Sequence, residues 1–430
     1  MTDLAASDAP QGAARTPLVT PTADRIETLD IVRGVAVMGI LAMNIVAFTM
    51  PFAAYINPTA YGLESNADLG SWVFSFIFVD GKMRGLFSFL FGASMLLVIE
   101  RAEASGASPA WVHYSRMFWL LVFGLVHYFF IWFGDILALY APIGMLAFFF
   151  RKMRVSRLIV AGVILLVLQG LLYTGFAFSL FSLQAAATAP GASADTLRQW
   201  AETQQGFVMT AQDIQQNLAM FRGGYGPIVT HRLNEWFGPL NSLWQAGGET
   251  LAYMLFGMAA LKSGFFTGAW ERRRYLKVLK LGALIALPIY AMLAVWLIRE
   301  NFSMPTLVAG WMAATVPIRP LMILAIAAAV ILLTRNNGWL TRRIAAAGRA
   351  AFTNYLGTSI LMTLVFYGYG LGLYGSLSRI ELWLPVLGVW TVMLLWSKPW
   401  LDRFNYGPFE WLWRSLARMQ FQPMRKTAGS

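Results

Sequence analysis

Long apolar runs, separated by short basic or turn-rich stretches, dominate the chain. Most runs are about 16 to 25 residues long, which is close to the length that an α-helix needs to cross a bilayer. The pattern predicts an all-α, polytopic transmembrane helix bundle. Ten spans are predicted at Ile31–Thr49, Met83–Ile99, Trp111–Trp132, Asp135–Phe150, Arg157–Phe181, Leu243–Phe266, Leu279–Ile298, Thr306–Leu333, Arg349–Tyr367 and Glu381–Trp396. The run Thr306–Leu333 contains Pro317 and Pro320, so it is either one span or a short re-entrant piece followed by a span, giving ten or eleven spans.

The remaining segments predict a tail, an insert and an interfacial helix. Residues 1–24 have no periodic apolar pattern, which is typical of a disordered tail, and they lack the order of a cleavable signal peptide. Residues 182–242 form a polar insert in which Ala194–Met220 predicts one or two amphipathic helices, and a loop of this length suggests a lid. It separates a first half (25–181) from a second half (243–397), and residues 398–430 predict an interfacial helix and tail.

The distribution of charge predicts how the bundle is oriented. Only 13% of the residues are charged, about half the fraction in soluble domains. Of the 33 Lys and Arg residues, 24 fall on the side of the amino terminus, 8 on the other side, and Arg33 lies within the first run. The positive-inside rule then places the amino terminus in the cytoplasm. Topology therefore accounts for the net charge of +12 without a nucleic-acid partner.

Cysteine and histidine usage restricts the chemistry. The chain has no Cys, which excludes disulfides and thiolate catalysis. Its three His residues are His113, His127 and His231, which argues against a multi-histidine metal centre, and we expect neither a metal nor a covalently bound cofactor. The 17 Trp residues suit the two bilayer interfaces and leave open a homodimer contact.

The stretch from Val126 to Tyr140 contains the most informative residues. His127 and Asp135 lie within or beside long apolar runs, and Gly134 predicts a tight break that places them at the facing ends of two consecutive helices. The desolvation cost of burying these groups has to be offset by a hydrogen-bond partner, a water-filled cavity or a functional role. Either the imidazole is an ordinary hydrogen-bonded interior group, or Asp135 orients His127 as a general base near the outer membrane face.

Other polar residues within or at the mouths of the runs are candidate substrate-binding residues, each against the alternative of an ordinary helix or interfacial contact. They are Asn44, Asp80, Lys82, Arg84, Tyr140, Glu249, Asn354 and Tyr355. We expect Lys82 or Arg84 to pair with Asp135 or to bind an anionic substrate group. Asn44 and Tyr140 are candidate donors to a developing oxyanion. His231 in the insert is a second candidate for the base, and His113 is predicted to be structural.

The opening of the chain resembles the YeiB-like family of bacterial membrane proteins. Asp30, Arg33 and Gly34 form its motif, followed by Gly39-Ile40 and Asn44. Further matching stretches are Phe91-Gly92, Gly134-Asp135-Ile136-Leu137 with Tyr140, Gly348-Arg349, Thr353-Asn354-Tyr355, Gly407-Pro408 and Glu410-Trp411-Leu412-Trp413-Arg414. The resemblance covers nearly the whole chain after the tail and implies a multi-pass protein of the bacterial inner membrane. Without this resemblance, a local ion pair at the membrane boundary would explain Asp30 and Arg33 equally well.

The same opening is similar to that of the heparan-alpha-glucosaminide N-acetyltransferase group, which implies transfer of an acyl group from acetyl-CoA to a sugar across a membrane. That group places a catalytic His shortly after the residue that matches Asn44. Here no His lies between Asn44 and His113, and the region contains Tyr55 and Asn57 instead. Either His127 supplies the base from another helix, or the chemistry differs.

Two functions remain open, beside a non-catalytic membrane scaffold. One is a membrane acyltransferase that uses acetyl-CoA or another acyl-CoA as donor and a cell-envelope sugar, glycolipid or small amine as acceptor. The other is a transporter or binding protein with a polar cavity within the membrane. An acyltransferase predicts a tunnel from the inner basic face to His127.

Overall fold

The computed structural model of the protein describes residues 26–204, 207, 209–336 and 338–426, so the predicted tail at 1–24 lies outside the described residues. Within these ranges the secondary structure is helical, apart from an isolated bridge between Phe404 and Arg425. The prediction of an all-α fold is confirmed.

The helices follow the apolar runs closely. Those of the first half are α1 (Glu27–Thr49), α2 (Phe52–Ile56), α3 (Asn66–Phe74), α4 (Lys82–Ala104), α5 (Pro109–Val126), α6 (Leu137–Ala147) and α7 (Val155–Thr188). The insert forms α8 (Ala194–Gln204), α9 (Ala211–Phe221) and α10 (Tyr225–Asn234). The later helices are α11 (Gly238–Lys262), α12 (Arg272–Arg299), α13 (Met304–Leu307), α14 (Arg319–Leu333), α15 (Trp339–Arg349), α16 (Ala351–Phe366), α17 (Trp383–Arg403) and α18 (Pro408–Arg418).

The described residues contain six helices that are long and apolar enough to cross a bilayer, together with three shorter apolar helices. These nine helices and α11 together correspond to the ten predicted runs. The protein is therefore a multi-pass membrane protein whose apolar surface contacts lipid. Ile26 and Arg101, at the start of α1 and near the end of α4, line one cavity and so lie at the same end of the bundle. We name the end at which α1 begins and α4 ends the amino-terminal face, and the other end the opposite face.

Glycines allow α1 and α15 to approach closely. A Cβ atom at Gly34 would collide with the carbonyl oxygen of Ile344, and one at Gly348 would collide with that of Asp30. Backbone contact of this kind is how small residues join helices in membranes. It fixes the Asp30–Arg33 motif against α15.

Three breaks in the helices bring polar side chains into the bundle. Each follows a π-helical turn, at Ser75–Val79, His127–Ile131 and Val308–Ala313. The first is closed by Gly81, whose φ of +67° suits glycine. The third separates α13 from α14, so the run Thr306–Leu333 consists of two pieces. π-Helical turns of this kind occur frequently at functional sites.

The insert is attached to the opposite face. Helix α7 continues to Thr188, past the predicted boundary at Ser182. One or two amphipathic helices were predicted in Ala194–Met220, and two are present, α8 and α9. The amide of Gly368 donates to the Phe221 carbonyl oxygen at 2.9 Å, and Tyr225 Oη donates to that of Phe130 at 2.7 Å. The insert therefore covers the segment that contains His127.

Candidate functional site

His127 and Asp135 form a buried pair. His127 Nδ1 lies 2.7 Å from Asp135 Oδ2, and both side chains have 0% exposure. Asp135 Oδ1 also accepts the amide hydrogen of Ala138 at 2.6 Å, so the carboxylate holds the first turn of α6 while it orients the imidazole. The predicted juxtaposition across Gly134 is confirmed. Neither side chain is exposed, so the pair itself does not open to either end of the bundle.

The second imidazole nitrogen has no protein partner within the described part of the chain. His127 Nε2 is buried without a hydrogen bond, as is Trp132 Nε1. The centre of the Tyr355 ring lies 5.2 Å from that of His127, and Tyr355 Oη accepts the amide hydrogen of Ile136 at 3.2 Å. When Nδ1 donates to Asp135, Nε2 presents a lone pair, which is the form that a general base requires.

A cavity of about 440 Å³ extends from the amino-terminal face towards this pair. Ile26 and Arg101 line it where α1 begins and α4 ends, and Leu137, Tyr140 and Tyr355 line its deeper part. Its wall between these levels includes Phe91, Met95, Met117, Leu120 and Phe352. The cavity ends at Tyr355, whose ring separates its lining from His127.

The mouth of this cavity is strongly basic. Five arginines line it, at Arg33, Arg101, Arg116, Arg349 and Arg414, against the two carboxyl groups of Asp30 and Glu410. Arg33 binds Asp30 Oδ1 at 2.8 Å and Ser94 Oγ at 2.7 Å, and the Arg116 guanidinium lies 4.2 Å from the centre of the Trp413 ring. The predicted motif Asp30–Arg33–Gly34 is thus part of a basic mouth. Arginine-lined openings suit phosphate groups.

Glu410 closes one side of the mouth. It accepts the amide hydrogens of Phe352 at 2.7 Å and Thr353 at 3.1 Å, so it caps α16. Burial raises the pKa of this carboxyl above its ordinary value. A helix, α18, is present within residues 398–430.

Asn44 lines a separate, smaller cavity. That cavity has a volume of about 10 Å³, enough for one water molecule, and its wall also includes Trp132, Tyr355 and Ser359. Asn44 and Tyr355 are therefore neighbours. Tyr140 lines the large cavity instead, where its hydroxyl donates to the Arg84 carbonyl oxygen at 3.1 Å and lies 2.6 Å from Ser88 Oγ.

Arg84 pairs with Glu249, so the expectation that Lys82 or Arg84 would pair with Asp135 is wrong. Glu249 lies well inside α11, where it binds both Arg84 and Arg319. Tyr253 Oη donates to Glu249 Oε1 at 2.7 Å. This cluster satisfies the carboxylate fully and joins α4, α11 and α14, whereas Asp135 is satisfied by its own segment.

Asp80 and Lys82 lie at the first break and have separate partners. Asp80 accepts hydrogen bonds from Tyr55 Oη at 3.1 Å and from Trp311 Nε1. Lys82 donates to the Phe76 carbonyl oxygen, and its ammonium lies 3.6 Å from the centre of the Tyr290 ring. Both residues therefore hold helices together, and Asp80 also lines a cavity of about 50 Å³.

The remaining predicted residues lie away from the central pair. Asn354 donates to the Ala347 carbonyl oxygen at 3.0 Å and accepts from Trp396 Nε1 at 2.9 Å. His113 Nε2 lies 2.9 Å from the Gly144 carbonyl oxygen, which agrees with a structural role. His231 is half-exposed, and its Nε2 lies 3.6 Å from Glu235 Oε1.

Sequence reasoning missed Arg319, Arg232 and Arg116. Arg319 lies between Pro317 and Pro320 in one predicted apolar run, and Arg116 lies within another. An arginine inside an apolar run is itself a signal, because such a residue faces the bundle interior or a cavity. Applied strictly, that rule would have selected Arg116 and Arg319.

Comparison with known proteins identifies relatives but no solved structure. Residues 260–420 match the family model described as "Protein of unknown function (DUF418)". The chain is 30% identical over 425 residues to the uncharacterized protein YxaH of Bacillus subtilis (strain 168), covering 95% of this chain and 98% of that protein. It is 31% identical over 417 residues to the uncharacterized protein YeiB of Escherichia coli (strain K12), covering 91% and 96%. No solved structure matches the chain.

Proposed function

We propose that this chain, which belongs to the DUF418 family together with YxaH and YeiB, is a membrane acyltransferase. The observation that carries the proposal is the cavity of about 440 Å³, which begins at an arginine-lined mouth and ends at Tyr355, beside His127. Its volume lies within the range of about 300–1,000 Å³ that is usual for small-molecule sites.

An acyl-CoA suits the two parts of the cavity. Its phosphate groups need the cations that Arg101, Arg116 and Arg414 provide at the mouth. Its thin pantetheine arm and acyl group suit the apolar wall that leads inwards. Five cationic groups against two carboxyl groups leave an excess of positive charge, which favours an anionic donor over a neutral one.

The His127–Asp135 pair supplies the base. Nε2 takes the proton from the hydroxyl or amine of the acceptor while that oxygen or nitrogen attacks the thioester carbonyl carbon. The new C–O or C–N bond forms, the C–S bond breaks, and the leaving thiolate receives the proton from the imidazolium. Asp135 stabilises the imidazolium through Nδ1, and the acyl group has to pass the Tyr355 ring to reach this position.

The acceptor approaches the pair from the opposite face, and the insert has to move aside to admit it, because both side chains are buried in this structure. We infer that the amino-terminal face is cytoplasmic and that the membrane is the bacterial inner membrane, because Lys and Arg are concentrated at that face. The acceptor is then a cell-envelope sugar, glycolipid or small amine. Donor and acceptor would thus approach the same imidazole from two sides of the membrane.

The experiment is to incubate the purified protein in lipid nanodiscs with radiolabelled acetyl-CoA and to measure binding and consumption. Wild type should do both, and His127→Gln should bind the donor but not consume it. His231→Gln is the matched control, because that imidazole is half-exposed and remote from the cavity. Wild-type protein that neither binds nor consumes the donor defeats the proposal.

The binding measurement has its own pair of variants. Arg101→Gln removes a charge from the mouth and should weaken binding of acetyl-CoA, more so at low salt. Arg157→Gln removes the same charge from an exposed position at the same face, outside the cavity, and should leave binding unchanged. Equal effects of the two variants would indicate general electrostatic attraction instead of a site.

Transport is the second candidate, and the Glu249 cluster favours it. Two arginines and a carboxylate buried among spanning helices are the kind of group that couples ion movement to a change of conformation. Counterflow of a labelled solute in proteoliposomes, abolished by Glu249→Gln and unaffected by His127→Gln, would select transport over acyl transfer.

A further inference from the structure

Arg232 is buried without a counter-charge. It lies in α10 of the insert, and the residue is 3% exposed. None of its three guanidinium nitrogens has a hydrogen-bond partner among the described residues. The other arginines with a buried, unpartnered nitrogen among these residues lack a partner at Nε alone, so Arg232 differs in kind.

The surroundings of Arg232 offer a second unpartnered group. Its guanidinium carbon lies 5.9 Å from the centre of the Tyr367 ring, and the buried Tyr367 Oη faces the guanidinium without forming a hydrogen bond of ordinary geometry. The nearest carboxylate in the sequence, Glu235, is 62% exposed and lies 3.6 Å from His231. It does not neutralise Arg232.

An anion would stabilise this group. A guanidinium stays protonated in proteins, and a buried charge that lacks both a counter-ion and hydrogen bonds is strongly unfavourable. Its planar donors fit two oxygens of one phosphate or carboxylate. We propose that Arg232 and Tyr367 bind an oxyanionic group, phosphate or carboxylate, between the insert and the bundle.

The position of this site relates it to His127. Helix α10 packs against the π-helical turn His127–Ile131, and Tyr225 in α10 donates to the Phe130 carbonyl oxygen. Tyr367 and Trp132 belong to the same hydrophobic cluster. This binding site goes beyond the proposed function. If the proposed function holds, the bound anion is a group of the acyl acceptor, and this assignment rests on that function.

The test measures thermal unfolding of the purified full-length protein in a non-ionic detergent. Sodium phosphate and sodium acetate are compared with sodium chloride at equal ionic strength. The site predicts a rise in Tm with phosphate or acetate that saturates with concentration, because a ligand that binds only the folded state stabilises it. Arg232→Gln should abolish the rise, and Arg198→Gln, an exposed arginine of the same insert, should retain it.

Two further variants apply if Arg232→Gln does not fold. Arg232→Lys keeps the charge and loses the planar donors, and Tyr367→Phe removes only the unpartnered hydroxyl, so both should weaken the rise. The proposal is overturned if wild type shows no rise specific to these anions. It is equally overturned if the rise is unchanged in Arg232→Gln, or in both substitute variants.

Nanodiscs distinguish the source of the anion. If a lipid headgroup fills the site, discs that contain phosphatidylglycerol should remove the response to added phosphate, while phosphatidylcholine discs retain it. If a soluble anion fills it, both discs should respond alike. No acyl donor is present in these measurements. Anion binding can therefore be detected even if acyl transfer is not, and acyl transfer can be detected even if anion binding is not.

Discussion

Asp135 accepts hydrogen bonds from two groups at once. Oδ2 lies 2.7 Å from His127 Nδ1, and Oδ1 accepts from the Ala138 amide at 2.6 Å. The bond from the Ala138 amide fixes the carboxylate at the start of α6. His127 therefore bonds to a carboxylate that does not rotate. The imidazole is therefore held in one orientation with Nε2 directed away from Asp135.

Asp135→Asn should preserve the fold and abolish the base. An amide can still accept from Ala138 through its oxygen, but its NH₂ group then faces His127 Nδ1 and forces the proton onto Nε2. We expect kcat for acyl transfer to fall by about 10² to 10⁴ while Tm changes little. Kinetics and thermal unfolding of the same preparation check this. Retained kcat would show that the pair is only structural.

Gly348→Ala should destabilise the bundle. The added Cβ would meet the carbonyl oxygen of Asp30, which belongs to a backbone that has no room to move. The expected loss is roughly 1–3 kcal/mol of the free energy of unfolding. Gly357→Ala in α16 is the matched control: its Cβ meets nothing within 4 Å. It should be neutral or stabilise by up to about 1 kcal/mol. Equal stabilities by denaturant titration would contradict close α1–α15 packing.

Glu410→Gln should remove a component of the pH dependence of stability. Burial raises the pKa of Glu410 above its ordinary value of 4.5. The folded state then keeps a proton that the unfolded chain releases, so this contribution is complete below pH 4.5 and is lost as pH rises through the raised pKa. The slope is at most about 1.4 kcal/mol per pH unit.

Thermal unfolding from pH 4 upwards, in wild type and Glu410→Gln, measures this slope. Wild type should lose stability relative to the variant across that window. Glu235→Gln, at an exposed carboxyl, should follow wild type. If wild type and Glu410→Gln show the same dependence, the carboxyl has no raised pKa in the folded protein.

The sequence predicted the spans and the central pair for local reasons. Long apolar runs have one stable form in lipid, since only a helix satisfies their backbone hydrogen bonds internally. His127 and Asp135 are eight residues apart, with Gly134 between them, so their meeting required only a turn. The end of α7 was missed, because the helix continues after its apolar run stops.

Pairing between distant helices could not be predicted in this way. Arg84 and Glu249 are 165 residues apart, and nothing near either one selects the other over Asp135. The cavity likewise arises where α1, α4, α5 and α16 leave space between them, and it depends on packing that no single run specifies. The burial of Arg232 could not be predicted either, because burial of a residue in a polar insert has no local pattern.

The absence of Cys allows a clean test of orientation. Single cysteines at exposed positions would be the only thiols in the chain. Ala194→Cys lies in the insert and Ser156→Cys at the start of α7, at the amino-terminal face. In intact bacterial cells whose outer membrane has been permeabilised, an impermeant thiol reagent should label Ala194→Cys and should reach Ser156→Cys only after lysis. The reverse pattern would refute the cytoplasmic assignment of that face.

The most direct test of a donor that enters from the amino-terminal face uses sealed membrane vesicles of defined orientation. Labelled acetyl-CoA does not cross a sealed bilayer, so it reaches the cavity mouth only in inside-out vesicles. Wild-type inside-out vesicles should consume the donor and transfer the label to an acceptor, whereas right-side-out vesicles and inside-out vesicles with His127→Gln should not. Equal consumption in both orientations, or none in either, would contradict the account.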